Sequence, residues 1–260
     1  MRKILTLLSV CSLIALFSCT TPSGDQVTKS FPLNGSYYDL YVSDGMIVTV
    51  TDEVDEIVIT GDENVMEKLK VELKNGRLRI FRNDVSMVYL TTTEVLLPYD
   101  PALKKIEVRM DSEFHTNFPI DREEVKVTLD SRSKFWGYIL ADELEMKAED
   151  HSEINASFDV SDNIDLRIKE SSCAYLDGYT NTVRLEMSDK SIIERQWNGD
   201  YYAFMCEYCY GTMDGDCEAY IDCDGEFALE LTNGSVLYFT SDPDLGGCFV
   251  DETSDIFDGN

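Results

Sequence analysis

Cysteine is the residue type whose number and spacing in this sequence most directly suggest chemistry. Four cysteines lie close together near the C-terminus: Cys206, Cys209, Cys217 and Cys223. A Cys-x₂-Cys pair with two further cysteines could bind zinc through four thiolates, although five residues separate the second pair. Disulfide bonds are the alternative in an oxidising compartment, and buried free thiols that pack as small apolar side chains are the third. We favour disulfides and predict no metal site.

The other residues able to do chemistry form no catalytic pattern. His115 and His151 are the only histidines, and their separation in the chain does not suggest the convergence that a Ser-His-Asp triad requires. Alternating acids in 214–218 and 222–226 lack the glycine and glutamate positions of a calcium-binding EF-hand loop. We interpret them as solvated acidic faces. The sequence therefore predicts no enzyme activity and no cofactor.

The N-terminal residues resemble the signal peptide of a bacterial lipoprotein. Arg2 and Lys3 precede an apolar run, Ile4 to Phe17, that is shorter than the roughly 20 residues of a membrane-spanning helix and fits a signal h-region. The tetrad Leu16 to Cys19 (LFSC) is similar to a lipobox, which implies that the Cys19 thiol is diacylated, that residues 1–18 are then removed, and that the new amine is usually acylated too. The resemblance implies an outer-membrane lipoprotein on either membrane face, and an ordinary secretory signal is the alternative.

The net charge of the exported chain limits the classes of partner that it can bind. Loss of residues 1–18 removes two cations and no acid, so the formal net charge moves from -28 to -30. Because nucleic-acid binding depends on Lys and Arg contacts to phosphate, nucleic acid is excluded as a partner. Residues 19–30 are small and polar, which predicts a tether between a lipid anchor and the folded domain.

Short alternating segments with turn dipeptides between them occupy residues 31–105. Asp44-Gly45, Gly61-Asp62 and Asn75-Gly76 are dipeptides typical of two-residue β-hairpin loops. We therefore predict an antiparallel β-hairpin cap region, with one short helical segment at Glu63 to Lys70.

A repeat of about 19 residues follows in 106–241. Each unit opens with three apolar residues at alternate positions and continues through a polar turn to a second apolar patch. The triplets are Ile106/Val108/Met110, Val125/Val127/Leu129, Leu144/Met146/Ala148, Ile164/Leu166/Ile168, Val183/Leu185/Met187, Tyr202/Phe204/Cys206 and Phe227/Leu229/Leu231. A fixed period indicates stacked units, and period-2 alternation indicates strands with one buried face. The pattern predicts a parallel β-helix of about seven rungs, with a two-sheet β-sandwich as the alternative and an acidic tail at 242–260.

Three segments carry a resemblance to a known family. Asp44 to Val50, Ile57 to Met66 and Asn75 to Ile80 are similar to the opening of the head GIN domain family, described as heads of autotransporter adhesins and common among Bacteroidetes lipoproteins. The resemblance covers roughly residues 31–240, although most turns here carry Asp or Glu where the family pattern favours Gly. It implies a right-handed β-helix without enzymatic activity, and it transfers no binding residue to this chain.

Two functions from different classes are consistent with these features. The first is a non-catalytic, adhesin-like binding module for an unknown glycan or protein ligand, with Trp136, Tyr138 and Tyr179 as candidate contacts. The second is a structural or self-associating envelope protein without a ligand. A carbohydrate-active β-helix enzyme is least favoured, because its cleft would need long loops between rungs, and these units have almost none. The sequence leaves the oligomeric state open.

Overall fold

The computed structural model describes residues 23–83, 92–197, 200–201 and 203–259, and it shows an all-β protein. The predicted signal peptide, Cys19 and part of the alternating segments predicted in 31–105 (residues 84–91) lie outside these residues. The one helix among them, α1, is Glu63–Met66, at the start of the predicted helical segment. None of the helical structure in these ranges is long and apolar enough to cross a membrane.

The strands are short in the N-terminal region and long in the repeats. The first seven are β1 Gln26–Phe31, β2 Asp39–Val42, β3 Met46–Thr51, β4 Ile57–Asp62, β5 Leu69–Lys74, β6 Arg77–Arg82 and β7 Thr93–Pro98. The repeats contain β8 Lys105–Arg109, β9 Glu113–Asp130, β10 Lys134–Ala148, β11 Glu153–Ile168, β12 Cys173–Ser188, β13 Ile192–Glu194, β14 Gln196–Trp197, β15 Asp200–Tyr201, β16 Phe204–Asp214, β17 Glu218–Tyr220, β18 Asp222–Thr232 and β19 Val236–Phe239. The last two are β20 Phe249–Val250 and β21 Asp255–Asp258. All but β14 and β15 belong to one open 19-stranded sheet.

Only one of the three predicted hairpins forms. Asn75 and Gly76 join β5 to β6 with positive φ angles of 53° and 73°, as a two-residue hairpin loop requires. The prediction at Asp44-Gly45 is wrong, because β2 pairs in parallel with β6 and β8 while β3 pairs in parallel with β7 and β9. The prediction at Gly61-Asp62 is also wrong, since Asp62 caps α1. The N-terminal region therefore mixes antiparallel pairs with strands of the parallel sheet.

From β8 onward, every described pairing of the large sheet is parallel. Strands β9, β10, β11 and β12 lie side by side in register, so that Phe135 pairs with Ile154 and Ile154 pairs with Ala174. Alternate residues are buried along each strand. The inward residues of these neighbouring strands thus form columns in a continuous hydrophobic core.

The structure corrects the predicted register at two places. Ile106 pairs with Val127 and not with Val125, and Met110 lies in a corner with a positive φ angle. Val183 pairs with Cys209, so the predicted triplet of this unit, whose first member Tyr202 lies outside the described residues, is out of register. The extra residues of the long unit form the small β14–β15 hairpin before Phe204. Phe204 and Cys206 are core residues, but they lie in the columns of Gly178 and Thr180 and not in that of Val183.

A repeated corner joins the two halves of each unit. Two consecutive residues with positive φ come first, as at Asp150 and His151 (51° and 61°), and a buried serine, Ser152, follows directly. The buried serines that follow such a pair are Ser112, Ser133, Ser152, Ser172, Ser191 and Ser235, and Ser254 is a buried serine at the last corner, without the positive φ angles. The Ser152 hydroxyl accepts from the Ser133 N–H (3.3 Å) and donates to the Glu149 carbonyl (2.6 Å). The serines therefore satisfy backbone groups that the sharp corner removes from water.

The predicted acidic tail is part of the sheet. Strand β20 pairs in parallel with β18, and β21 pairs in parallel with β19 across Val236 to Phe239. Residues 242–259 thus contribute one further layer, because they repeat the strand, corner and strand order with buried Ser254 at the corner.

Removal of one corner hydroxyl should measurably destabilise the protein. In Ser152→Ala, a buried N–H and a buried carbonyl lose a partner, which costs about 1–3 kcal/mol and lowers the melting temperature by about 3–10 °C for a domain of this size. Ser161→Ala is the matched control, because its hydroxyl bonds Asp142 in an exposed position. Equal thermal shifts in the two variants would contradict a structural role for the serine column.

Candidate functional site

The three aromatic residues predicted as ligand contacts lie on one face of the parallel sheet. Trp136 and Tyr138 are outward residues of β10, and Tyr179 is an outward residue of β12. Their columns are neighbours: Trp136 aligns with Asn155 and Tyr175, and Tyr138 aligns with Ser157 and Asp177. The structure thus brings together residues that are more than 40 positions apart in the chain.

A row of small polar side chains separates two aromatic rows on this face. The middle strand, β11, presents Asn155, Ser157 and Asp159 outward, and the flanking strands present the large rings. Neighbouring strands are about 4.8 Å apart, so the two aromatic rows are about 10 Å apart on that spacing. We call this surface the aromatic face, defined by Trp136, Tyr138, Asn155, Ser157, Tyr175 and Tyr179.

The Trp136 ring is held in a fixed orientation. His115 of β9 stacks on it, with 4.3 Å between ring centroids and an interplanar angle of 7°, and the Lys134 ammonium lies 5.4 Å from the ring centroid. Nε2 of His115 is in turn 3.2 Å from a Glu113 carboxylate oxygen. Because its neighbours already immobilise the indole, the Trp136 side chain would lose little conformational entropy when a ligand binds to it.

Two tyrosines of this face, Tyr175 and Tyr179, have raised pKa values, so their hydroxyls are hydrogen-bond donors at neutral pH. Burial raises the pKa of Tyr175, and the Glu153 and Glu194 carboxylates reinforce the shift. The pKa of Tyr179 is also raised, by desolvation and by the carboxylates of Glu207 and Asp224. Tyr138 and Tyr179 expose 41% and 40% of their surface. Neutral hydroxyls and carboxylate acceptors beside exposed rings are suited to a ligand rich in hydroxyl groups.

The opposite outward surface is occupied by ion pairs. A cleft of about 390 Å³ there is lined by Lys105, Lys126, Glu145 and their neighbours. Nζ of Lys126 lies 2.6 Å from Glu145, and Nζ of Lys105 lies 3.3 Å from Asp39. Arg167 also approaches Glu145, at 3.8 Å. These cations are neutralised within the protein, so this cleft is a weaker candidate than the aromatic face.

The structure separates the four clustered cysteines into two groups. Cys206 pairs directly with Cys223 across β16 and β18, and Cys206, Cys209 and Cys223 are all buried in the core. Cys217 instead occupies a corner where other units have serine, with its Sγ 3.5 Å from the Ser191 hydroxyl. Burial raises the pKa of the Cys217 thiol. Within the described ranges, no group of three or more His, Cys, Asp or Glu residues could hold a metal ion.

The sequence of the chain matches a known protein family. The sequence profile of the family described as "Putative auto-transporter adhesin, head GIN domain" matches residues 36–194, which is more than half of the chain. The chain belongs to the head GIN domain family. No curated protein sequence matches it.

Solved structures share the architecture of this GIN domain protein. A crystal structure described as a "putative adhesin" from Parabacteroides merdae has a TM-score of 0.74 at 15% identity and covers 90% of this chain and 96% of its own. One described as a "putative lipid binding protein" from Parabacteroides distasonis has a TM-score of 0.73 at 14% identity, with coverages of 90% and 97%. At such identities the likeness shows the fold alone.

Sequence reasoning missed several residues that shape the aromatic face. His115, Asn155 and Tyr175 were not predicted, although each lies in the Trp136 column. The sequence did contain a signal for these residues. In each unit, the residue that directly follows a core residue of the second apolar patch falls at the same position of the repeat. The serine column was also missed, since the serines were interpreted as part of exposed polar turns.

We expect that only one pair of the clustered cysteines forms a disulfide in the GIN domain. Cα atoms of directly paired residues in neighbouring strands lie within the 4.4–6.8 Å that a disulfide tolerates, which favours Cys206–Cys223. After oxidation with glutathione disulfide, peptide mass spectrometry should find this bridge and leave Cys217 and Cys173 as free thiols. Cys217→Ser, which restores the corner residue of the other units, should leave the bridge unchanged. A bridge that includes Cys217 would contradict the expectation.

Proposed function

We propose that this protein is a cell-envelope lipoprotein whose GIN domain is a non-catalytic, adhesin-like module that binds a glycan on its aromatic face. The observation that carries the proposal is the convergence of Trp136, Tyr138 and Tyr179 on one outward surface. The family and the related structures are described as adhesins or as a lipid-binding protein, and these descriptions support a binding role.

The proposed architecture is a right-handed parallel β-helix. Two observations support it. Consecutive units pair in parallel and in register, and most units turn at a corner of two residues with positive φ angles. The handedness follows from the resemblance to the head GIN domain family. A β-helix offers a rigid and nearly flat face, because every outward side chain stands above the same position of the preceding unit.

The chemistry of the aromatic face favours a glycan over other ligands. Sugar rings present C–H groups that pack on aromatic rings and hydroxyls that form hydrogen bonds with carboxylates, amides and phenols. The polar row of Asn155, Ser157 and Asp159 between two aromatic rows provides both kinds of contact. An extended chain lying along the strands would contact all of these residues at once.

The negative charge of the aromatic face favours some classes of glycan over others. Asp159 and Asp177 are exposed on this face, and the Glu113 carboxylate lies next to His115. Carboxylates repel sulfated or sialylated chains, and Lys134 is the one cation described beside the rings. We therefore propose a neutral or amino-sugar glycan as the ligand.

Binding to a panel of immobilised glycans tests the ligand class. Trp136→Ala and Tyr138→Ala should each weaken binding at least tenfold, because about 1.4 kcal/mol or more of ring packing is lost. Tyr210→Ala is the control, since this tyrosine is 45% exposed and lies in a different column, beside Arg184 and Ala228. Binding that prefers sulfated glycans, or that survives both ring deletions, would contradict the proposal.

Cell fractionation tests the lipid anchor separately. Cys19→Ala should move the protein from the membrane fraction to the soluble fraction, because two or more acyl chains supply stable anchoring. Cys11→Ala is the matched control, since this cysteine lies within the predicted signal peptide. Unchanged membrane association of the Cys19 variant would refute the anchor. Digestion of intact cells with proteinase then separates a surface adhesin from an inward-facing structural protein.

A further inference from the structure

The chain enters the folded domain close to the proposed lipid anchor. The buried carboxylate of Asp62 accepts hydrogen bonds from the Gly24 N–H at 2.6 Å and from the Ser23 hydroxyl at 3.2 Å. Cys19 lies four positions before Ser23, and four residues span at most about 14 Å when fully extended. Acyl chains on Cys19 would therefore keep this end of the domain at the membrane surface.

The β5–β6 hairpin lies at the same end of the domain. Helix α1 begins directly after Asp62, and two residues separate it from β5. Among the described strands, β5 pairs only with β6, so it is the outermost strand on this side of the sheet. A membrane within reach of Cys19 is therefore close to this hairpin, which we call the cationic hairpin (residues 69–82).

Net charge distinguishes the cationic hairpin from the rest of the protein. Residues 69–82 contain five Lys and Arg and one Glu, whereas residues 134–260 contain 7 Lys and Arg and 29 Asp and Glu. Lys70 and Lys74 are exposed at alternate outward positions of β5. The ion pairs that the hairpin makes with described residues involve Arg77 and Arg79 and not these two lysines. The lysine charges are thus available to an anionic partner.

Aromatic rings lie among these cations. Phe81 pairs with Lys70 across the hairpin, and the Arg79 guanidinium lies 4.4 Å from the Phe81 ring centroid and 5.2 Å from that of Tyr41. Long cationic side chains bury their apolar stems against apolar surface and keep the charged group in a polar layer, which suits the headgroup region of a membrane.

The most acidic part of the protein is too distant to cancel this positive charge. Strand β10 is separated from β5 by β6, β2, β8 and β9, so β5 and β10 are about 24 Å apart at the usual strand spacing. Salt screens exposed charges beyond about 8–10 Å at physiological ionic strength. An anionic surface in contact with the hairpin therefore interacts mainly with Lys70, Lys74 and their neighbours.

We propose that the cationic hairpin docks on anionic phospholipid headgroups of the membrane that holds the lipid anchor. This inference rests on the proposed lipoprotein function, because the short link from Cys19 is what brings the hairpin to a bilayer. Lys70 and Lys74 contact the lipid phosphates, since anionic lipids attract basic side chains that lie near the membrane surface.

This docking sets the orientation of the domain. The hairpin extends the surface lined by ion pairs, opposite to the aromatic face, because β6 and β8 both pair with β2. Asp25, Glu63 and Glu67 are exposed near Ser23, and anionic headgroups repel this side. The domain therefore leans toward the hairpin and leaves the aromatic face accessible to a glycan.

Charge neutralisation within the protein is the competing explanation for the cationic hairpin. The Arg77 guanidinium lies 2.9 Å from Glu107 and 3.7 Å from Asp39, and that of Arg79 lies 3.5 Å from Glu72. A hairpin that only balances its own neighbours has no preference among lipids, whereas a docking hairpin prefers anionic ones.

Lysine labelling of the acylated protein in two kinds of vesicle tests the proposal. The protein is inserted into vesicles of phosphatidylcholine, with or without phosphatidylglycerol, floated, and treated with an amine-reactive reagent before mass spectrometry. Lys68, Lys70 and Lys74 should react about fivefold more slowly in the anionic vesicles, and high salt should remove the difference. Lys147 and Lys190 should react equally in both. Equal rates for Lys70 and Lys74 in floated protein overturn the docking alone, whereas protein that does not float overturns the lipid anchor as well.

The double variant Lys70→Gln/Lys74→Gln locates the contact on the hairpin. Lys68 directly precedes β5, and its protection in anionic vesicles should be lost in this variant. The matched control Lys147→Gln/Lys190→Gln removes the same charge from later strands and corners and should retain the protection of Lys68. Thermal melting checks that both variants are folded. Protection of Lys68 that survives the loss of both hairpin lysines overturns the proposal.

Discussion

The whole molecule depends on parallel hydrogen bonding between units of nearly equal length. This pairing requires that each unit turn at the same place, and the corner achieves it with two residues of positive φ followed by a buried serine. Non-glycine residues such as Asp150 and His151 adopt this conformation at an energetic cost. The serine hydroxyls offset part of that cost by bonding the backbone of the same and the neighbouring unit.

Because neighbouring strands pair in register, residues at the same position of successive units form columns, and the outward columns form the surfaces of the protein. On one face, the rings of His115 and Trp136 stack because their residues are direct partners, and small polar side chains fill the next strand. On the opposite surface, Lys126 and Glu145 pair for the same reason. The same parallel strand pairing therefore forms both the proposed glycan site and the cleft lined by ion pairs.

The ends of the ladder differ in structure and in charge. Antiparallel pairs of β1 with β4 and of β5 with β6 complete the N-terminal end, which also carries basic residues such as Arg77 and Arg79. The last described layer, by contrast, consists of the short parallel strands β20 and β21, which contain no Lys or Arg.

The sequence by itself determined the all-β class and the family, because alternation and the segments that carry the family resemblance are local properties. It also identified Trp136, Tyr138 and Tyr179 as candidate contacts. Only the tertiary structure decided that Ile106 pairs with Val127, that Val183 pairs with Cys209, and that Cys217 belongs to the serine column. Register slips and insertions such as β14–β15 leave the apolar alternation intact, so the pattern cannot reveal them. The choice is made by core packing and by hydrogen bonds between residues that are distant in the chain.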